Sequence, residues 1–227
     1  MCVSLFADYN VDGNTVAADT LCFHNDAGNV YMINEIQWFI SHIELKNEKG
    51  EWIALNEGKD IHYLEYKTSE NAPFHWQSIP NGTYTALHFT FGLDETDNQT
   101  GLFANPPESE MFWPDPLGGG YHYMKINGKW LDAENNLIPM CIHLGTGQNA
   151  ELTEFYPNHF SVEIPFDNPI VQANCSITIS MNINNWFRNP HTYDFNDYGS
   201  GIMQNQAAQQ TLKENGHDVF SVSTLEK

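Results

Sequence analysis

Residues 83–92 place Thr85, Leu87, Phe89 and Phe91 on one parity and Tyr84, Ala86, His88 and Thr90 on the other, a period of two that an extended, half-buried strand satisfies and a helix does not. The alternation returns at 160–164, where Phe160, Val162 and Ile164 interleave with Ser161 and Glu163 before Pro165, which is expected to stop the strand. It returns again at 177–183, with Ile177, Ile179, Met181 and Ile183 against Thr178, Ser180 and Asn182. Shorter strands read at 3–9, 51–55, 61–66 and 140–144, punctuated by turn clusters at 11–14, 25–29 and 48–50. Residues 30–45 differ, because Ile36, Trp38 and Ile40 lie on one face and Phe39, Ile43 and Leu45 on the other. A strand apolar on both parities is expected to be central and covered on both sides.

About nine such strands at these spacings predict an all-β fold, an antiparallel β-sandwich of Ig-like or jelly-roll type, in one domain over 1–227. The Asn127-Gly128 pair predicts a hairpin turn between strands at 121–126 and 129–132. Residues 69–82, with two prolines and Asn81-Gly82, read as loop, and 94–110 read as a long loop without period. Ala207, Ala208 and Leu212 sit at helical spacing within 203–214 until Asn215-Gly216, which predicts a short C-terminal helix, a lid over one end of the sandwich. A last strand is expected at 219–222.

Charge removes some partners. Nine Lys+Arg against 29 Asp+Glu give a formal charge of −20, which repels phosphate backbones and anionic lipid surfaces, so nucleic acid is not expected. No stretch of about 18 apolar residues is present to span a bilayer. Cys2, directly before the first strand, reads equally as the acylated cysteine of a lipoprotein, the only expected membrane attachment, or as an ordinary strand residue. With Cys2 lipidated, Cys22, Cys141 and Cys175 leave an odd thiol.

The chemistry is concentrated in 111–145. His122 and His143 follow Trp113, and strand alternation puts Cys141 on the same face as His143, opposite Met140, Ile142 and Leu144. Imidazole and sulfur donors suit copper or zinc, and the absence of clustered carboxylates there argues against oxygen-preferring ions. His42 is a further candidate, read on the apolar face with Trp38 and Ile40. His24, His62, His75, His88, His159, His191 and His217 read as solvated or edge residues. No P-loop, dinucleotide fingerprint, nucleophile elbow or zinc-protease helix is present, and the acids Asp94, Glu95, Asp97, Glu108 and Glu110 read as solvated loop residues rather than a glycosidase pair. A different class of function is a surface ligand- or glycan-binding module, with Trp52, Trp76 or Trp130 as stacking platforms.

The order of several segments is similar to one family. They are Trp38-Phe39-Ile40-Ser41-His42-Ile43-Glu44-Leu45, Phe91-Gly92-Leu93-Asp94, Phe112-Trp113 leading to Gly120-Tyr121, His143-Leu144-Gly145, and a tail from Gly201-Ile202-Met203 to Asp218-Val219-Phe220. Across nearly the whole chain this resembles the MbnP-like family of bacterial exported copper-binding proteins, in a divergent, lipoprotein-type form. The resemblance implies copper held by two histidines without catalysis, at the periplasm or outer-membrane surface. It implies, in some members, a tryptophan oxidised to kynurenine by a partner diheme cytochrome-type enzyme. His143 falls on the family's His-Leu-Gly position, and Trp113 on the first tryptophan of Trp-x-Trp-x-x-Gly-Tyr, with Asp115 at the second; Ser41 stands where some relatives carry a histidine. The expected ligands are therefore His143, then His122, His42 and Cys141, with Trp113 or Trp38 as the modifiable tryptophan and Cys2 as the lipid anchor.

Overall fold

The alternating stretches are strands in the computed structural model, which describes residues 1–66, 74–148, 153–171 and 174–226. In chain order they are β1 (Cys2–Val11), β2 (Asn14–Thr15), β3 (Phe23–His24), β4 (Val30–Asn47), β5 (Trp52–Ala54), β6 (Ile61–Tyr66), β7 (Phe74–Trp76) and β8 (Tyr84–Phe91). There follow β9 (Met124–Leu131), β10 (Leu137–Leu144), β11 (Gly147–Gln148), β12 (Phe155–Tyr156), β13 (Phe160–Ile170), β14 (Asn174–Asn182) and β15 (Phe220–Glu226). Two short helices, α1 (Phe195–Tyr198) and α2 (Gln206–Asn215), lie between β14 and β15.

One large sheet runs β15-β14-β1-β2 with β7 on β1; the second runs β10-β9-β4-β8-β13, with β3, β5 and β6 also on β4; β11 and β12 form a separate two-stranded ribbon. Every pairing among the described strands is antiparallel except β1 with β14. The two sheets form the expected sandwich. Trp38 on β4 is fully buried, donates its Nε1–H to the Tyr9 hydroxyl of β1 at 2.9 Å, and stacks on Phe220 of β15 at 5.4 Å. The next residue, Phe39, points the other way and packs on Tyr63, Phe103 and Tyr121. This explains the apolar character of both parities of β4: one side faces the opposite sheet, the other the long 94–123 connection folded over it.

Several expectations change. Asn127-Gly128 makes no hairpin; β9 runs straight through it, and the turn to β10 comes at Asp132–Asn136, where Asp132 N–H and Asn136 O close the loop at 3.0 Å. Gly128 serves a different need, because a Cβ there would stand 2.0 Å from the Met32 carbonyl oxygen of β4. Pro165 does not stop β13, which pairs it with Ala86 and continues to Ile170 across a register shift. Since β13 is the end strand of its sheet, a residue without an N–H costs no ladder bond on the free side. Of the 69–82 loop, residues 69–73 lie outside the described residues, while Phe74–Trp76 form β7 on β1. The described strands number fifteen, four of them of two residues, where about nine were expected. Helix α2 ends at Gly216 as expected, but it packs on β11 and the 3-10 turn Ile183–Phe187, with Gln209 and Asn215 buried as hydrogen-bonding residues.

β7 also buries a histidine read as solvated. His62 on β6 is 5% exposed, with its ring 4.3 Å from Phe74 and 5.6 Å from Trp76. Burial first, and the Lys59 charge second, hold its imidazole down to about 4 from an ordinary 6.5. Unfolded His62 therefore takes up a proton near pH 6.5 and folded His62 only near pH 4, so its contribution to stability is present above pH 6.5 and lost as pH falls through that window. At about 1.4 kcal/mol per unit, the loss approaches about 3 kcal/mol. In urea unfolding at pH 7 and pH 4.5, His62→Phe is expected to narrow the stability difference by about 2–3 kcal/mol; an unchanged difference refutes this account of His62.

Candidate metal centre

The connection from β8 to β9 builds the site. After the 3-10 turn Glu108–Met111, Phe112 bridges Tyr121, and Trp113 N–H donates to the Gly120 carbonyl at 2.9 Å. The chain between reverses through Gly118, Gly119 and Gly120, all at positive φ (112°, 68° and 79°), a backbone that side-chain-bearing residues rarely adopt. A Cβ on Gly120 would also fall 2.2 Å from Asn98 Oδ1, the atom that accepts the Tyr121 N–H at 2.8 Å. The glycine run is thus a tight reversal that sets Trp113 beside His122, pinned by the 94–110 loop.

Trp113 is fully buried, its Nε1–H bonded to the Leu117 carbonyl at 2.8 Å. Gly145 makes room for it, since a Cβ there would lie 2.5 Å from Trp113 Cε3. The His122 ring stands edge-on to the indole at 4.7 Å, and the His143 ring edge-on to His122 at 5.0 Å. His122 is 5% exposed and precedes β9 rather than lying in a strand.

The hydrogen bonds fix which nitrogen of each ring is free. His122 Nδ1 lies 2.9 Å from the Met111 carbonyl, an acceptor only, so Nδ1 carries the proton and the lone pair is on Nε2. That Nε2 is buried and has no hydrogen-bond partner among the described residues. His143 Nε2 lies 2.8 Å from Asn127 Oδ1, and the Asn127 amide nitrogen donates to Glu35 Oε2 at 3.0 Å. The Glu35 carboxylate orients the amide, the amide oxygen accepts from His143 Nε2–H, and the His143 lone pair is left on Nδ1. Burial, reinforced by the Lys125 charge, pushes His143 down to about 4, and burial above all pushes His122 down to about 3. Two neutral imidazoles, each with one uncommitted lone pair, stand together beside an indole.

The other sequence candidates are elsewhere. Trp38 is in the inter-sheet core. Cys141 shares the His143 strand face, but among the described residues it joins no group of three convergent donors. Same-face residues two apart on a strand are roughly 6.6 Å apart, too far for one small ion without help from the backbone. His42 is not on the Trp38 face. A bulge in β4, where Ser41 pairs with Thr90 and Glu44 with His88, puts His42 at φ 50° and turns it out toward Asp60, Asp94 and Asp97. Trp76 and Trp130 are buried at 2% and 3% and offer no face to a sugar, and Trp52 lies under the Lys46 ammonium at 4.9 Å. Sequence reading missed Asn127 and Glu35. Their relation to His143 is a register fact, since Asn127 sits opposite Glu35 on one side and diagonal to His143 on the other.

Fold and site together describe a two-sheet β-sandwich that carries a buried imidazole pair next to a tryptophan on one connection. The MbnP family model matches residues 3–204, and the chain belongs to that family. The fold is similar to the solved structure of MbnP from Methylosinus trichosporium, with a TM-score of 0.65 and 15% identity over 100% of this chain and 99% of that one. No curated protein matches this chain.

Proposed function

We propose that this is an exported protein that holds a single Cu(I) ion between His122 Nε2 and His143 Nδ1 and performs no catalysis of its own. The observation that carries the reading is the pair of neutral imidazoles whose other nitrogens are committed to Met111 and Asn127. Neutral nitrogen donors in an apolar wall suit a soft, singly charged ion, and copper stands highest in divalent affinity as well. The Lys125 ammonium lowers both imidazoles and opposes a second positive charge more than a first, which favours Cu(I) over Zn(II). The test is competition. Metal-stripped protein is expected to take one equivalent of Cu(I) from a chromophoric chelator and to keep it against excess Zn(II); failure to compete at any stoichiometry refutes the reading.

Membership in the MbnP family supports two further parts of the proposal. Trp113, in ring contact with His122, is the tryptophan we propose a diheme partner enzyme oxidises, and Cys2, which is exposed, is the proposed lipid anchor of a periplasmic or outer-membrane protein. Peptide mass mapping of protein isolated from its native membranes reads both. An oxidised Trp113 and an acylated Cys2 are expected, and an unmodified residue at either place removes that part.

A further inference from the structure

The left-handed bulge of β4 builds a second constellation that shares no residue with the imidazole pair. His42 Nδ1 is 2.9 Å from Asp60 Oδ2, while Nε2, on the other edge of the ring, is 3.3 Å from Asp94 Oδ2 and 3.1 Å from Asp97 Oδ2. A carboxylate that receives one imidazole N–H aims the other nitrogen's lone pair, as in carboxylate–histidine–metal arrangements. Here that lone pair is directed between two carboxylate oxygens, which repel it unless a positive charge lies among them.

Two observations are consistent with an ion in that place. Among the described residues His42 Nε2 and Asp97 Oδ2 are each shielded from solvent and lack a well-directed hydrogen bond, although they are 3.1 Å apart, so the ring nitrogen is aimed squarely at neither acid. The donor separations are also compatible with a coordination shell. Ligand bonds of about 2.0–2.2 Å give edges of about 2.8–3.1 Å in an octahedron and about 3.3–3.6 Å in a tetrahedron, and the nitrogen-to-oxygen separations are 3.1 and 3.3 Å. The loop fixes these acids. Asp94 Oδ1 accepts the N–H groups of Thr96 and Asp97 at 2.8 and 2.9 Å, which leaves Oδ2 for the site.

We propose that His42, Asp94 and Asp97 form a binding site for a divalent first-row ion of the zinc class, with Asp60 orienting the imidazole. One imidazole and two carboxylates suit Zn(II) or Mn(II). Ca(II) wants six to eight oxygens, and Cu(I) prefers soft or neutral donors. The His42 and Asp97 side chains are 35% and 24% exposed, which leaves solvent a way to the remaining coordination positions.

The probe is Zn(II) itself, titrated against a chromophoric chelator into metal-stripped full-length His143→Ala protein, so that the imidazole pair cannot contribute. One equivalent is expected to bind, and Asp97→Asn in the same background to weaken it by at least about tenfold. Asp94→Asn, which keeps the Oδ1 acceptor, serves as the second variant, and thermal unfolding without metal confirms that each variant is folded. X-ray absorption is expected to show one imidazole per zinc among oxygen ligands. Absence of binding in the His143→Ala background, binding indifferent to both substitutions, or two imidazoles per zinc overturns the proposal without touching the copper reading.

Discussion

Alanine at His122 or at His143 is expected to lower Cu(I) affinity by at least about 100-fold in the chelator competition. Loss of an outer partner of a metal-bound histidine already costs about 10- to 100-fold, and loss of the ligand itself costs more. Asn127→Leu, which removes the acceptor that fixes the His143 tautomer, is expected to fall between wild type and His143→Ala. The same tautomer argument sets the pH range. With the imidazoles held down to about 3 and about 4, a proton competes with the ion only as pH nears 4, rather than near the ordinary 6.5. Copper is therefore expected to stay bound at pH 5.5, where exposed histidines have largely protonated. Release between pH 7 and pH 6 would mean that the binding histidines are solvated ones and that this pair is not the site.

Gly128→Ala is expected to destabilise the fold by about 3 kcal/mol, the upper part of the range for overpacking. The added Cβ meets the Met32 carbonyl oxygen at 2.0 Å, a backbone atom in the neighbouring strand that cannot rotate away. It also meets Met140 Cε at 2.9 Å, which is flexible and can move. In a domain of this size, about 3 kcal/mol lowers the thermal midpoint by roughly 6–12 °C. Gly13→Ala is the contrast. Its φ of 81° strains any side chain, but no other described residue beyond its chain neighbours comes within 4 Å of the added Cβ, so a loss of about 1 kcal/mol is expected. Equal effects of the two substitutions would show that conformational freedom, not close approach, is what Gly128 supplies.

The two glycines also show how one local signal serves opposite ends. Asp12-Gly13 and Asn127-Gly128 look alike in sequence, and only the first makes the hairpin, between β1 and β2. Turn propensity is local, but at Gly128 it is overridden by a carbonyl contributed from residue 32, a neighbour that sequence order does not reveal. Pro165 is similar. Its missing N–H forbids a central strand, but β13 is an edge strand, and the edge is a property of the assembled sheet. The site was legible to the extent that it is local. Trp113, the three glycines, His122 and His143 lie in one stretch, and residue type alone marks them as donors beside an indole. Nothing local pairs His42 with Asp94 and Asp97, and the bulge that turns it outward reversed the face that strict alternation assigns.

The sequence by itself determined the strand class, the central position of β4, the sandwich architecture and the stretch that carries the imidazoles, because side-chain period and turn chemistry act over a few residues. Tertiary structure alone decided the strand register, the nitrogen on which each imidazole keeps its lone pair, the burial of His62 under β7, and the meeting of His42 with three carboxylates. Each of these depends on contacts between residues far apart in the chain. Their geometry exists only once the sheets are paired and packed.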